Sequence, residues 1–164
     1  MARSKGHIVD FLKQIKGYLT AANVFNTSTC NLSLDTKALE YPPGDIYCLI
    51  TPQDFVSWQP STDGGGVESM ILTGSLLFTV WFQNALDEPS RDTTVLTDSV
   101  LGVYDKIDDM VNVLQLLDNC HDTSLAYLAE PMRLIKIGSP LRDDKNKEWV
   151  KVDLLFEVKI WNLV

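Results

Sequence analysis

The chain has few of the side chains on which enzyme chemistry usually depends. Only two of its 164 residues are histidine, His7 and His121, and only three are cysteine, Cys30, Cys48 and Cys120. An odd, scattered set of cysteines makes a poor disulfide framework. The three read as free thiols of a protein made in a reducing cytosol. Zinc needs three or four Cys or His ligands in paired short spacings, and the chain offers no such spacing. Cys120 and His121 are adjacent, but sequence neighbours seldom aim their side chains at one another. A working nucleophile–base pair also needs a third group to orient it. Long apolar runs are missing as well. The longest, Met70 to Phe82, is interrupted by Thr73, Gly74, Ser75 and Thr79, whereas a bilayer demands about 20 apolar residues. Met1 to Gly6 is basic, but an amphipathic segment follows it instead of the unbroken apolar core of a signal peptide. A soluble protein is expected, with no membrane partner.

Basic residues are also scarce. Lys and Arg number 14 against 22 Asp and Glu, a net charge of −8, with a pI near 4.6. Nucleic-acid backbones are held by clustered Lys and Arg, so this balance excludes a dedicated nucleic-acid binder. The charge is unevenly spread. Residues 1–20 hold four bases and one acid, a net +3, while residues 85–130 hold two bases and ten acids, a net −8. Residues 131–164 return to a net +2, with seven bases and five acids. Unlike surfaces of this kind suit head-to-tail contacts between identical subunits. An acidic helix kept for solubility leaves the same pattern.

What is present is an ordinary globular composition, 45% apolar and 22% charged, of a length for one domain. Ile8, Phe11, Leu12, Ile15 and Leu19 recur at helical spacing, predicting a helix from about Lys5 to Ala22 that fades near Asn23. Asn23 to Gly44 reads as a long connection with a short strand near Asn31 to Leu34. Ile46 to Ile50 is a buried strand, and Pro52 to Gly66 an exposed loop. Val67 to Asn84 alternates with period two, as a long strand does, and Gly74 marks a bend or bulge in it. Asp98 to Asp118 is a second amphipathic helix, with Val100, Val103, Tyr104, Ile107, Met110, Val111, Leu114 and Leu117 on its apolar stripe. Met132 to Ile137 is a strand, Gly138 to Lys147 a charged hairpin loop, and a final strand alternates from Trp149 onward. The order is α-β-β-α-β-β. It predicts an α+β domain with an antiparallel or mixed sheet and both helices on one face. The two αββ halves look alike in element type only.

Candidate sites follow from these placements. Gly64, Gly65 and Gly66 are followed by Val67, Glu68 and Ser69 and then a strand. A phosphate loop instead needs Lys and Ser or Thr and opens a helix. Asp105, Asp108 and Asp109 lie opposite the apolar stripe of the second helix, the position of a solvated face. Trp81 shares a strand face with Ile71 and Leu77, and Trp149, Leu155 and Trp161 lie on the polar face of the last strand. With helices on the other face, these aromatics are expected to be wet in a lone subunit. They then either meet a neighbour or lie under the Asn23 to Gly44 segment. The polar stretch Ala85 to Thr97, with Asp87, Glu88, Arg91 and Asp92, reads as a mobile excursion that becomes ordered on assembly.

Ile8 to Leu19, Ile46 to Ile50, Met70 to Asn84, Ser99 to Leu117 and Trp149 to Val164 together resemble the tail terminator proteins of long-tailed bacteriophages. The likeness lies in element order and strand character over most of the chain, without a short diagnostic motif. It implies a non-enzymatic virion protein without a cofactor. Such a protein would assemble in the host cytoplasm and reside in the virion neck. It would form a hexameric ring that caps the tail tube, ends its polymerisation and presents the surface that joins the head. The implied partners are other copies of the chain, the tail tube protein and a head-completion or connector protein. DNA would pass without specific binding, and Asp105, Asp108 and Asp109 would line an acidic lumen. Other neck proteins share similar layouts. The alternatives of a different class are a small cytosolic ligand-binding α+β module and an enzyme.

Overall fold

A computed structural model describes residues 7–33, 46–55, 57–60, 69–83, 103–116, 132–142 and 149–163. Helix α1 spans His7–Ala21 and helix α2 spans Val103–Leu116. The strands are β1 Cys30–Leu32, β2 Ile46–Pro52, β3 Ser57–Pro60, β4 Ser69–Gln83, β5 Arg133–Ile137, β6 Leu141–Arg142 and β7 Trp149–Leu163. They form one mixed sheet in the order β1-β2-β4-β7-β5, with β3 on β4 and β6 on β7. Among the described residues only β1 and β2 pair in parallel. The expected α+β class holds, as do both antiparallel pairings, β2 with β4 and β5 with β7.

The centre of the sheet is the β4–β7 pair. Its fifteen residue pairs run from Ser69↔Leu163 to Gln83↔Trp149 without a register shift. Alternation then dictates two faces. Leu76, Phe78, Val80 and Phe82 of β4 and Val152, Leu154, Phe156, Val158 and Ile160 of β7 are all buried in one cluster. Phe78 and Phe156 meet edge to face at 5.3 Å, a favoured arrangement of ring quadrupoles. Phe11, Ile15 and Leu19 of α1 and Val103, Ile107, Met110 and Leu114 of α2 close over this face. Both helices therefore lie on one side of the sheet. Tyr104, assigned to the apolar stripe of α2, is exposed, because it lies at the stripe's margin rather than on the line through Val103, Ile107 and Leu114.

The end of α1 is closed by its own sequence. Asn23 adopts φ 57°, a left-handed conformation that Asn tolerates better than most residues. The Asn23 amide donates to the Thr20 carbonyl, and the Val24 amide donates to the Leu19 carbonyl. This is a Schellman closure, and Val24 and Leu19 are both in the core beside it.

Two strands were not foreseen. β3 lies in the stretch read as an exposed loop, and β6 lies in the charged hairpin loop. Each extends the cover along a central strand. β2 and then β3 take the outer edge of β4, and β5 and then β6 take that of β7. The two halves thus share one plan, a helix, an interrupted strand and a long strand.

Gly74 does not mark a bulge in β4, whose register runs straight through it. The irregularity is in the neighbour. The register slips by two residues between Pro52↔Leu76 and Ser57↔Thr73, and Phe55 from that step lies over Gly74. A Cβ at Gly74 would run into the Phe55 ring. Gly74→Ala should therefore displace the ring and cost about 1–3 kcal/mol, as overpacking does. The penalty should shrink in a Phe55→Ala background. Equal denaturation penalties in the two backgrounds would refute this contact.

Candidate functional site: the uncovered face and the edges of the sheet

The face of the sheet turned away from the helices is built in rows by the strand register. Tyr47, Trp81 and Lys151 stand side by side, then Leu49, Thr79 and Asp153, then Thr51, Leu77 and Leu155. Ser75 faces Glu157, and Thr73 faces Lys159. Tyr47, Leu49, Trp81 and Trp149 form a second buried cluster, separate from the main core. Trp149 is diagonal to Trp81 across the β4–β7 pair, within reach for large rings. The Lys151 ammonium sits 5.8 Å from the Trp81 ring centre, close enough for cation–π attraction.

Polar contacts tie this cluster to its surroundings. The Thr79 hydroxyl, buried, donates to Asp153 Oδ1 at 2.8 Å. Asn31 Nδ2 donates to the Tyr47 hydroxyl at 3.1 Å, and Lys16 Nζ donates to Asn31 Oδ1 at 3.1 Å. A chain of contacts therefore runs from α1 through β1 to the uncovered face. Thr51 Oγ1 and Trp81 Nε1 are buried and have no hydrogen-bond partner among the described residues.

Trp81 is 7% exposed and Trp149 is 8% exposed. The wet aromatics expected on this face are not found at these two positions, because they pack with Tyr47 and Leu49 of β2. Leu155 is half-buried between Leu77 and Lys136 in the register. Trp161 pairs with Ile71 in the β4–β7 ladder; its side chain lies outside the description. Asp87, Glu88, Arg91 and Asp92 lie outside the described residues, as do Gly64 to Gly66, Cys120 and His121. Asp108 and Asp109 are exposed on α2, and Asp105 is half-exposed. No group of three or more His, Cys, Asp or Glu capable of holding a metal occurs among the described residues. No described helix is long and apolar enough to cross a membrane.

The exposed apolar side chains sit elsewhere, at the margins. Ile135 is 51% exposed on β5 and Leu141 is 54% exposed on β6, with Ile137 exposed nearby. Leu32 is exposed on β1, and Val9 on α1. β1 and β5 are the opposite ends of the strand order. Leu32 pairs with core Ile50, and Ile137 with core Leu154, so both lie at the rim of the helix-covered side. Reasoning from sequence missed these edge residues, because alternation names a face but not which strand ends the sheet. It also missed that Cys30 and Cys48 are direct partners in the β1–β2 ladder.

No protein-family model matches the chain, and no curated protein matches it.

The burial of Trp81 and Trp149 inside the subunit has a measurable consequence. Trp81→Ala or Trp149→Ala should lower fold stability by about 3–5 kcal/mol, the usual loss for a large buried aromatic. A variant with an unchanged thermal midpoint but a smaller particle mass would instead make that tryptophan a contact between subunits.

Proposed function

We propose that this protein is a ring-forming structural subunit of a bacteriophage tail, acting as a tail terminator. It caps the tail tube, ends its growth and presents the surface to which a head-completion or connector protein joins. The reading places it in the host cytoplasm during assembly and in the virion neck afterwards. It rests on the resemblance in element order and strand character. The observation that carries it is the pair of unlike sheet edges, each bearing exposed aliphatic side chains. At one edge is Leu32 of β1, and at the other are Ile135, Ile137 and Leu141 of β5 and β6.

Contacts between unlike patches repeat from copy to copy, and where the rotation closes they form a ring. A closed ring has no free lateral patch left, which suits a part that ends a polymer. α1 carries exposed Lys13 beside half-buried Lys16, while α2 carries exposed Asp108 and Asp109. Unlike charges on the two helices favour one orientation of approach and penalise the reverse. Asp105, Asp108 and Asp109 would serve equally as the wall of a lumen that DNA passes without sticking.

Light scattering on the purified protein tests the reading. The mass should be several times the 18.4 kDa of the chain, with closed rings visible by electron microscopy. Replacing Ile135 and Ile137 together with Glu should shift the population to smaller particles without changing the circular dichroism spectrum. A ring depends on concentration, so comparisons belong at matched protein. A wild-type protein that remains a monomer at high concentration and does not bind tail tubes would sink the proposal.

A further inference from the structure

The strongest unassigned chemistry is the pair of thiols that the parallel β1–β2 ladder brings together. Cys30 and Cys48 are far apart in sequence and direct Cα partners in the sheet. Partners in register point to the same face, and both side chains lie in the main core, fully buried. The thiols are close enough for each to perturb the other's ionisation, and both are free. Adjacent strands stand about 4.8 Å apart, inside the ~4.4–6.8 Å over which a disulfide joins two Cα atoms. We propose that Cys30 and Cys48 are a disulfide-forming pair, which stays reduced in a reducing compartment and staples β1 to β2 outside one. The inference stands independently of the tail reading.

The surroundings favour Cys30 as the thiol that reacts first. The Cys48 side chain holds the Cys30 thiol below its ordinary range, and the nearby Lys16 ammonium acts in the same direction. Burial pushes the Cys48 thiol up. The thiolate is the attacking species, so the asymmetry sets an order. Access comes from the strand itself. β1 has three residues and lies at the sheet edge. Beyond its ladder it is fastened by the Cys48 amide donating to Thr29 and the Ser33 amide donating to Ile50. Short edge segments of this kind open at a small fraction of the cost of global unfolding.

The oxidant is a low-molecular-weight disulfide. The Cys30 thiolate attacks one of its sulfurs, forms a mixed disulfide and expels one thiolate. Cys48 gives its proton to solvent, attacks the Cys30 sulfur and expels the second thiolate. Two electrons pass from the protein to the reagent, which leaves as two thiols. The new bond closes the chain between Cys30 and Cys48 into a loop and removes the opening motion of β1 from the native state.

The test uses the full chain exposed to oxidised glutathione at mildly alkaline pH, against a dithiothreitol-treated control, with peptide mapping by mass spectrometry. The expected product is an intramolecular Cys30–Cys48 link, formed equally in Cys120→Ser. The thermal midpoint should rise by roughly 5–10 °C and fall back with dithiothreitol. A Cys48→Ser chain should retain glutathione on Cys30, because no second thiol resolves the adduct. A link to Cys120 overturns the proposal. So do three thiols that persist through prolonged exposure, stable adducts on the wild-type protein without the link, or a linked protein with an unchanged or lower midpoint.

Discussion

The pairing of β4 with β7 is the constraint on which the rest of the molecule depends. Fifteen successive pairs without a slip lock every side chain of both strands to one face or the other, since a shift of one residue would exchange the faces. That register puts Phe78 against Phe156 and sets Val80 beside Val152 under the helices. It also sets Trp81 beside Lys151 and Thr79 beside Asp153 on the far side. The shorter strands then have only the outer edges of this pair to occupy. β2 and β3 divide one edge and β5 and β6 the other. The helices add burial to a face that the central pair has already defined.

Elements with strong periodicity were legible from the chain. α1, α2, β4 and β7 carry alternation or helical stripes long enough to leave one reading, and the structure places them within a few residues of those bounds. The fading of α1 near Asn23 has a cause that the pattern did not name, a left-handed residue in a Schellman closure. The failures have physical causes. β3 ends at Pro60 in a stretch rich in Pro and Gly, and such a strand survives because it forms at an edge, where a missing amide costs no ladder bond. β6 has two residues and no periodicity to detect. The nearness of Cys30 to Cys48 depends on a parallel pairing across a long connection, which no spacing rule encodes. The burial of Trp81 and Trp149 by β2 escapes the pattern for a different reason. Alternation correctly placed Trp81 away from the helices, but it carries no information about the second cluster that Tyr47 and Leu49 form there.

The edges show a balance that bears on assembly. β5 has a register irregularity between Leu134 and Lys136 and exposes Arg133 and Lys136, devices by which natural sheets discourage indiscriminate strand addition. The same edge leaves Ile135 and Ile137 open to solvent, with Leu141 beside them on β6. An edge that resists backbone pairing yet offers apolar side chains is suited to a contact specified by shape. At the opposite edge β1 is only three residues long, so it offers little backbone to pair either. On the proposed reading, copies would therefore meet through side chains from unlike flanks, with Lys13 on α1 and Asp108 and Asp109 on α2 biasing their orientation. Both helices cover the same face, which makes the subunit thicker on that side of the sheet. Repeating one contact between unlike flanks turns every copy by the same angle, and the copies close into a ring only where that rotation closes without advance along the axis; otherwise they run on as a fibre.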